Sequence, residues 1–269
     1  MAMATPVELP ELDASAFQPL IEHLSKHNIP INKYRKGVGI GRSQCYGMVR
    51  KRSMSPDLSR CSWLDPRLHY LLMKFALVNL PPDFTFTSVQ VNDSYMCEAH
   101  FDKHNRGNSY IVAFGSYTGG ELVLKNPTDT EYNIRHRPIL FDGSKIEHYT
   151  KEFQGRRWSI VFHTLVPPPK FPMIRQLSDY EAVCKDGQWV MAWYRQGEPT
   201  VYLSKRNGLA HPLRGRKKVV AQTEITYDLR LTAAQNLMIS AALTRRELGT
   251  VSEETSSSAQ QEEHDEEEH

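Results

Sequence analysis

The spacing of apolar residues predicts two helices near the start of the chain. Phe17, Leu20, Ile21 and Leu24 recur at helical intervals, so an amphipathic helix is expected from about Ala14 to Lys26, with Asp13 as its cap. A second is expected from Pro66, a residue suited to a first turn, with Leu68, Leu71, Leu72, Phe75 and Ala76 as its buried stripe. From residue 84 the pattern changes to β-branched and aromatic alternation. The runs are FTFTSVQVN (84–92), SYIVAFG (109–115), ELVLK (121–125), RPILFD (137–142) and RWSIVFHTLV (157–166). Turn residues such as Gly107-Asn108, Gly119-Gly120 and Asp142-Gly143 separate them. Short strands at this spacing, with helices on one side, predict a mainly β fold with flanking helices and a double-stranded β-helix, or jelly-roll, core.

The expected organisation follows from these changes of pattern. Residues 1–83 supply helices and a basic, Gly-rich segment that support a catalytic core at 84–169. After Pro167-Pro168-Pro169, a basic extension spans 170–246, with a hairpin near 182–205 and a last helix at about 232–246. Residues 247–269 hold nine acidic side chains and no Lys or Arg, with almost nothing apolar to offset the entropy of ordering, so a disordered tail is expected. The formal net charge of +2 therefore conceals a body of 33 basic and 22 acidic residues, +11 over 1–246. A body this basic attracts polyanions by releasing counterions from phosphates.

Two basic regions are candidates for such contact. Residues 33–52 (KYRKGVGIGRSQCYGMVRKR) read as a Gly-rich loop in which Arg42, Tyr46 and Arg50 could touch phosphates or stack on bases, or equally form a solvated surface. The glycines there resemble a dinucleotide turn, but no βαβ unit surrounds them and the spacing is incomplete. Lys205, Arg206 and Arg214 form the second basic region. The four cysteines are scattered, no secretory leader is visible, and no apolar run reaches the ~18 residues of a membrane span. An intracellular, nuclear protein without a membrane partner is expected.

The candidate chemistry centres on His100-Phe101-Asp102. On extended backbone, residues i and i+2 point to one side, so an imidazole and a carboxylate can share a metal while Phe101 faces away. Two histidines and one carboxylate form the facial triad of non-haem iron(II), so a second histidine is required downstream. His148 is preferred, with His136 and His163 as rivals. Arg157 offers a planar fork for a carboxylate, and Ser159 shares its face of a strand, whereas the adjacent Arg156 faces the other way. Asn92, Tyr95, Asn105 and Ser109 flank the motif: Asn92 and Tyr95 are candidates for holding a co-substrate, and Asn105 for touching a base. Asp142 is expected to organise a turn.

His100-x-Asp102, His148 and Arg157-x-Ser159 in a β-rich context resemble the 2-oxoglutarate/iron(II) dioxygenase superfamily. Within it, VNDSYMCEAHFDKHNRGNSYIVAFGSYTGGELVL (91–124) is similar to the TET/JBP-type nucleic-acid base oxygenases. The resemblance covers residues 85–165, extends upstream to GIGRSQCYGMV (39–49), and stops at Pro167. It implies iron(II), 2-oxoglutarate as co-substrate, and oxidation of the 5-methyl group of 5-methylcytosine or thymine in DNA, with the target base flipped out of the stack. Ascorbate in place of 2-oxoglutarate stays open. So do two other functions: hydroxylation of a prolyl or lysyl side chain, and binding of nucleic acid by a jelly roll without catalysis.

Overall fold

Among the described residues, four of the alternating runs join three further strands in an antiparallel sheet of seven. In chain order these are β1 (Val7–Glu8), β2 (Gly39–Lys51), β3 (Met54–Leu58), β4 (Ser88–Cys97), β5 (Ser109–Gly119), β8 (Ile139–Phe141) and β10 (Phe153–His163), arranged in space as β1-β8-β5-β10-β4-β2-β3. A smaller antiparallel sheet, β7-β6-β9, is made of β6 (Leu122–Lys125), β7 (Asp129–Tyr132) and β9 (Glu147–Thr150). The computed structural model describes residues 5–31, 39–51, 54–125, 127–185, 187–194 and 201–203. Lys205, Arg206, Arg214, the helix expected at 232–246 and the acidic tail lie outside them.

Register divides the large sheet into two unlike faces. Trp158, Ile160 and Phe162 of β10 stand beside Phe114, Val112 and Tyr110 of β5, and Ile160 and Phe162 also pair with Val91 and Val89 of β4. This face is apolar, and it is covered by α1 (Gln18–Lys26) with the turn before it and by α3 (Pro66–Asn79), through Phe17, Leu20, Leu24, Leu68, Leu72 and Phe75. The residues between them, Arg157, Ser159, Asn92 and Gln90, point to the opposite face. There Ile111, Ala113 and Tyr117 pack against Leu122 and Leu124 of the smaller sheet. The two sheets enclose a jelly-roll core, the architecture that the alternation predicts.

Both expected helices form, each with the expected start. Asp13 accepts from Ser15 N at 2.8 Å, opening a 3-10 turn (Ala14–Phe17) that leads into α1. Asp65 accepts from Leu68 N at 3.0 Å and caps α3, with Pro66 at its first position. Phe17 is fully buried, its ring 5.2 Å from Phe75, 5.1 Å from Phe114 and 4.7 Å from His136. Phe17→Ala is therefore expected to cost about 3–5 kcal/mol in urea unfolding. A loss under about 1 kcal/mol would mean that this ring does not hold the helical layer to the sheet.

The Gly-rich segment departs from expectation. Residues 39–51 are not a loop but the strand β2, paired with β4 from Gly39↔Cys97 to Gly47↔Ser88. Its glycines mark close backbone approach: Gly41 has φ +137°, and a Cβ there would stand 2.5 Å from Ser94 O. Pairing with Val89 turns Tyr46 into the helix-covered core, where it is fully buried with its hydroxyl 3.2 Å from Gln44 Oε1. Tyr46 therefore cannot stack on a base. Pro56 is accommodated because β3 is an edge strand.

A third sheet, β11 (Tyr180–Lys185), β12 (Gln188–Tyr194) and β13 (Val201–Leu203), realises the expected hairpin. It packs on a short helix that the periodicity does not reveal, α2 (Arg60–Leu64): Trp63 lies 6.1 Å from Tyr180 and 5.5 Å from Trp193, both edge-on. Among the described residues, no helix is long and apolar enough to cross a membrane.

Candidate metal centre

Beyond the end of β4 the chain turns so that His100 pairs with His148 of β9. Each backbone N–H donates to the other's carbonyl at 3.0 Å, and the two imidazole centroids stand 4.3 Å apart. Asp102 follows, held by its N–H to Gly143 O at 2.8 Å. Its Oδ1 lies 3.6 Å from His100 Nε2 and its Oδ2 3.8 Å from His148 Nε2, and all three ligand atoms fall within 4.8 Å of one another. His100 Nδ1 meets Glu98 O at 2.7 Å and His148 Nδ1 meets Ile146 O at 3.0 Å. A carbonyl partner makes each Nδ1 the protonated nitrogen, which leaves both Nε2 lone pairs for a metal. Burial disfavours ionisation of Asp102, but the His100 contact and the field of His148 outweigh it, holding the carboxyl below the usual carboxylate range. Two imidazoles and an ionised carboxylate are a donor set suited to iron(II).

Asn105, a candidate for touching a base, stands beside this centre. Its half-buried side chain donates from Nδ2 to Asp102 Oδ2 at 3.0 Å, so its amide orients the carboxylate. The i,i+3 spacing to Asp102 is the one signal for this role in the sequence, and turn capping makes the same spacing common. Removing an outer partner of this kind typically weakens metal binding ~10–100-fold, and Asn105→Ala is expected to do so in an iron(II) titration. Unchanged affinity would show that the amide does not position the ligand.

Arg157 lies on the inner face of β10 and is only 1% exposed. Its guanidinium sits between two rings, 5.6 Å from those of both Tyr117 and Phe153, and beside Gly120, where a Cβ would stand 2.9 Å from Nε. Only glycine leaves that space, and at φ +76° the position also favours it. Among the described residues, Nε and Nη2 have no hydrogen-bond partner. Burial pushes the Arg157 pKa down, against the fields of Tyr117 and Cys97, a hydrogen bond with Tyr117 and the field of Glu121, yet a guanidinium stays protonated in proteins. A buried cation with two unanswered donors costs several kcal/mol unless an anion completes it. A carboxylate in the barrel would complete it. Gly120 leads into β6, whose Leu122 pairs with Thr150 and Leu124 with His148, so one short strand runs from the guanidinium to the metal end.

The other candidates separate by face. Ser159 and Asn92 come together inside the barrel: Asn92 Nδ2 donates to Ser159 Oγ at 3.2 Å, and Ser43 Oγ donates to Asn92 Oδ1 at 2.8 Å. Tyr95 is buried with its ring beside Gly39, and Ser109 is buried at the start of β5. Arg156 faces away from the barrel, 3.1 Å from Asp93 and 4.4 Å above the Trp158 ring. His136 stacks on Phe17 in the helical layer, and His163 is not among the converging ligand atoms. Asp142 accepts from Ser144 N and Oγ and organises its turn, as expected. Arg42 donates to Asn28 Oδ1 and Ile29 O, and with Arg156, Asp93, Ile31 and Ile40 it lines a cleft of about 500 Å³. Arg50 is exposed and lies against His104 Nδ1 at 2.6 Å.

No protein-family model and no curated protein matches the chain. Among solved structures, it is similar to one described as NgTET1 in complex with 5mC DNA, at 17% identity and a TM-score of 0.44, covering 64% of this chain and 76% of that one. It is also similar to an oxidoreductase of the 2OG-Fe(II) oxygenase family from Burkholderia pseudomallei, at 16% identity and a TM-score of 0.37, covering 59% and 82%. A Pseudomonas putida prolyl-4-hydroxylase is similar at 12% identity and a TM-score of 0.38, covering 60% and 92%. The chemistry proposed for this chain rests on the geometry of its own residues.

Proposed function

We propose that this chain is an iron(II)- and 2-oxoglutarate-dependent dioxygenase that oxidises the 5-methyl group of a pyrimidine, 5-methylcytosine or thymine, in DNA. The observation that carries the co-substrate is the buried Arg157 guanidinium with Nε and Nη2 unanswered, joined through one short strand to the converging His100, Asp102 and His148. His100, Asp102 and His148 would hold the metal, Asn105 and the two carbonyl-bound Nδ1 atoms would keep the ligands in place, and Arg157 would grip the carboxylate remote from the metal. Iron(II) with 2-oxoglutarate supplies oxidation of an unactivated C–H bond by dioxygen. The polar inner face built by Ser43, Asn92 and Ser159 lies beside Arg157, and the apolar walls of the barrel keep bulk water from it.

The substrate class is supported by the resemblance over residues 85–165 and by the +11 charge of the body, to which exposed Arg50 contributes. A methyl group inside a duplex is out of reach of a half-buried centre, so the nucleotide must leave the stack. The test is mass spectrometry of nucleosides after incubation with iron(II), 2-oxoglutarate and DNA carrying either cytosine or 5-methylcytosine. A hydroxymethylated nucleoside is expected in step with succinate, from the methylated DNA alone where 5-methylcytosine is the target and from both DNAs where thymine is. Turnover of prolyl or lysyl peptides without change to any DNA would replace the substrate and keep the chemistry. Full turnover with ascorbate and no 2-oxoglutarate would remove the co-substrate.

A further inference from the structure

A second convergence of donor atoms lies on the helix-covered side of the large sheet. His23 lies in the last turn of α1 and His27 is its C-cap, where the backbone turns extended and leaves the two imidazoles stacked. Opposite them is Asp65, from the segment that starts α3. His23 Nε2 stands 2.7 Å from Asp65 Oδ2 and His27 Nδ1 stands 3.3 Å from the same oxygen, and the three ligand atoms all lie within 4.8 Å of one another. The rings are 5.9 Å apart and nearly parallel.

We propose that His23, His27 and Asp65 form a second metal site, for a divalent transition ion of the zinc type, which ties α1 to α3. Three features point beyond an ordinary ion pair. Two imidazoles address one carboxylate oxygen, although a single imidazole would satisfy it. The other oxygen, Oδ1, is held by Leu68 N at 3.0 Å, and this is the outer bracing that ligating carboxylates usually have. The site is half-buried, with side-chain exposures of 17% and 30% for the histidines and 11% for the aspartate, which shields three ligands and leaves room for water as a fourth. The ion would fasten together the two helices that cover the apolar face of the sheet.

The test is zinc stoichiometry by equilibrium dialysis of the full chain with Zn²⁺ alone, in an Asp102→Ala background that cripples the other triad. His27→Ala removes one ligand, and Asp65→Asn keeps the helix cap while removing the charge. Each is expected to bind one equivalent of zinc fewer than the Asp102→Ala chain, with circular dichroism unchanged. Zinc at a hundredfold excess over Kd should also raise Tm by about 5–10 °C in the Asp102→Ala chain and by much less in the double variants. Equal stoichiometry in all three chains, or no zinc bound by the Asp102→Ala chain, would overturn the proposal.

Discussion

Asp102→Ala should abolish turnover while leaving much of the affinity for DNA. The carboxylate is the one anionic ligand of the candidate centre, and it stands between two imidazoles at 3.6 and 3.8 Å. Without it two neutral nitrogens remain, a weak site for a hard divalent ion, and iron affinity should fall by more than the ~10–100-fold expected of Asn105→Ala. The ordering of these two losses is itself informative. If Asn105→Ala weakened iron binding more than Asp102→Ala, the ligand assignment would be wrong. Iron(II) titration followed by single-turnover assays would separate failure to bind metal from failure to react. Wild-type turnover by Asp102→Ala would dismiss the triad.

The second large effect belongs to Arg157. Losing one partner of a buried charged contact usually costs ~2–5 kcal/mol, which is about 30- to 4,000-fold in the KM for 2-oxoglutarate. Arg157→Lys is the sharper variant. It keeps the charge and most of the volume but loses the planar fork that two carboxylate oxygens require. Its KM for 2-oxoglutarate should rise at least tenfold while the KM for DNA stays constant. Arg156→Lys serves as a control, because Arg156 points to the other face and pairs with Asp93. Equal effects at the two positions would show that the inner face of β10 has no special relation to the co-substrate.

Much of this was legible in the sequence because it depends on local period. The alternation in RWSIVFHT placed Arg157 and Ser159 on one face, and the stripe from Leu68 to Ala76 marked α3 and its Pro66 start. The i,i+2 spacing of His100 and Asp102 put an imidazole and a carboxylate within reach of one point. Glycine was the misleading signal. In residues 39–51 it suggested a loop, whereas the glycines allow a strand to press against Ser94 and Thr87, and the same misreading left Tyr46 outside the core.

What the chain determines by itself is which side chains share a face, since a period of two or 3.6 residues follows from backbone geometry alone. Which face lies inside was decided only by pairing between distant strands: β10 against β4 and β5 turned Arg157 inward and Arg156 outward. The return of β9 to residue 100 likewise brought His148, and not His136 or His163, into one cluster with His100 and Asp102. Sequence period cannot carry that information, because a shift of one residue in register leaves every local pattern intact and exchanges the inner face for the outer.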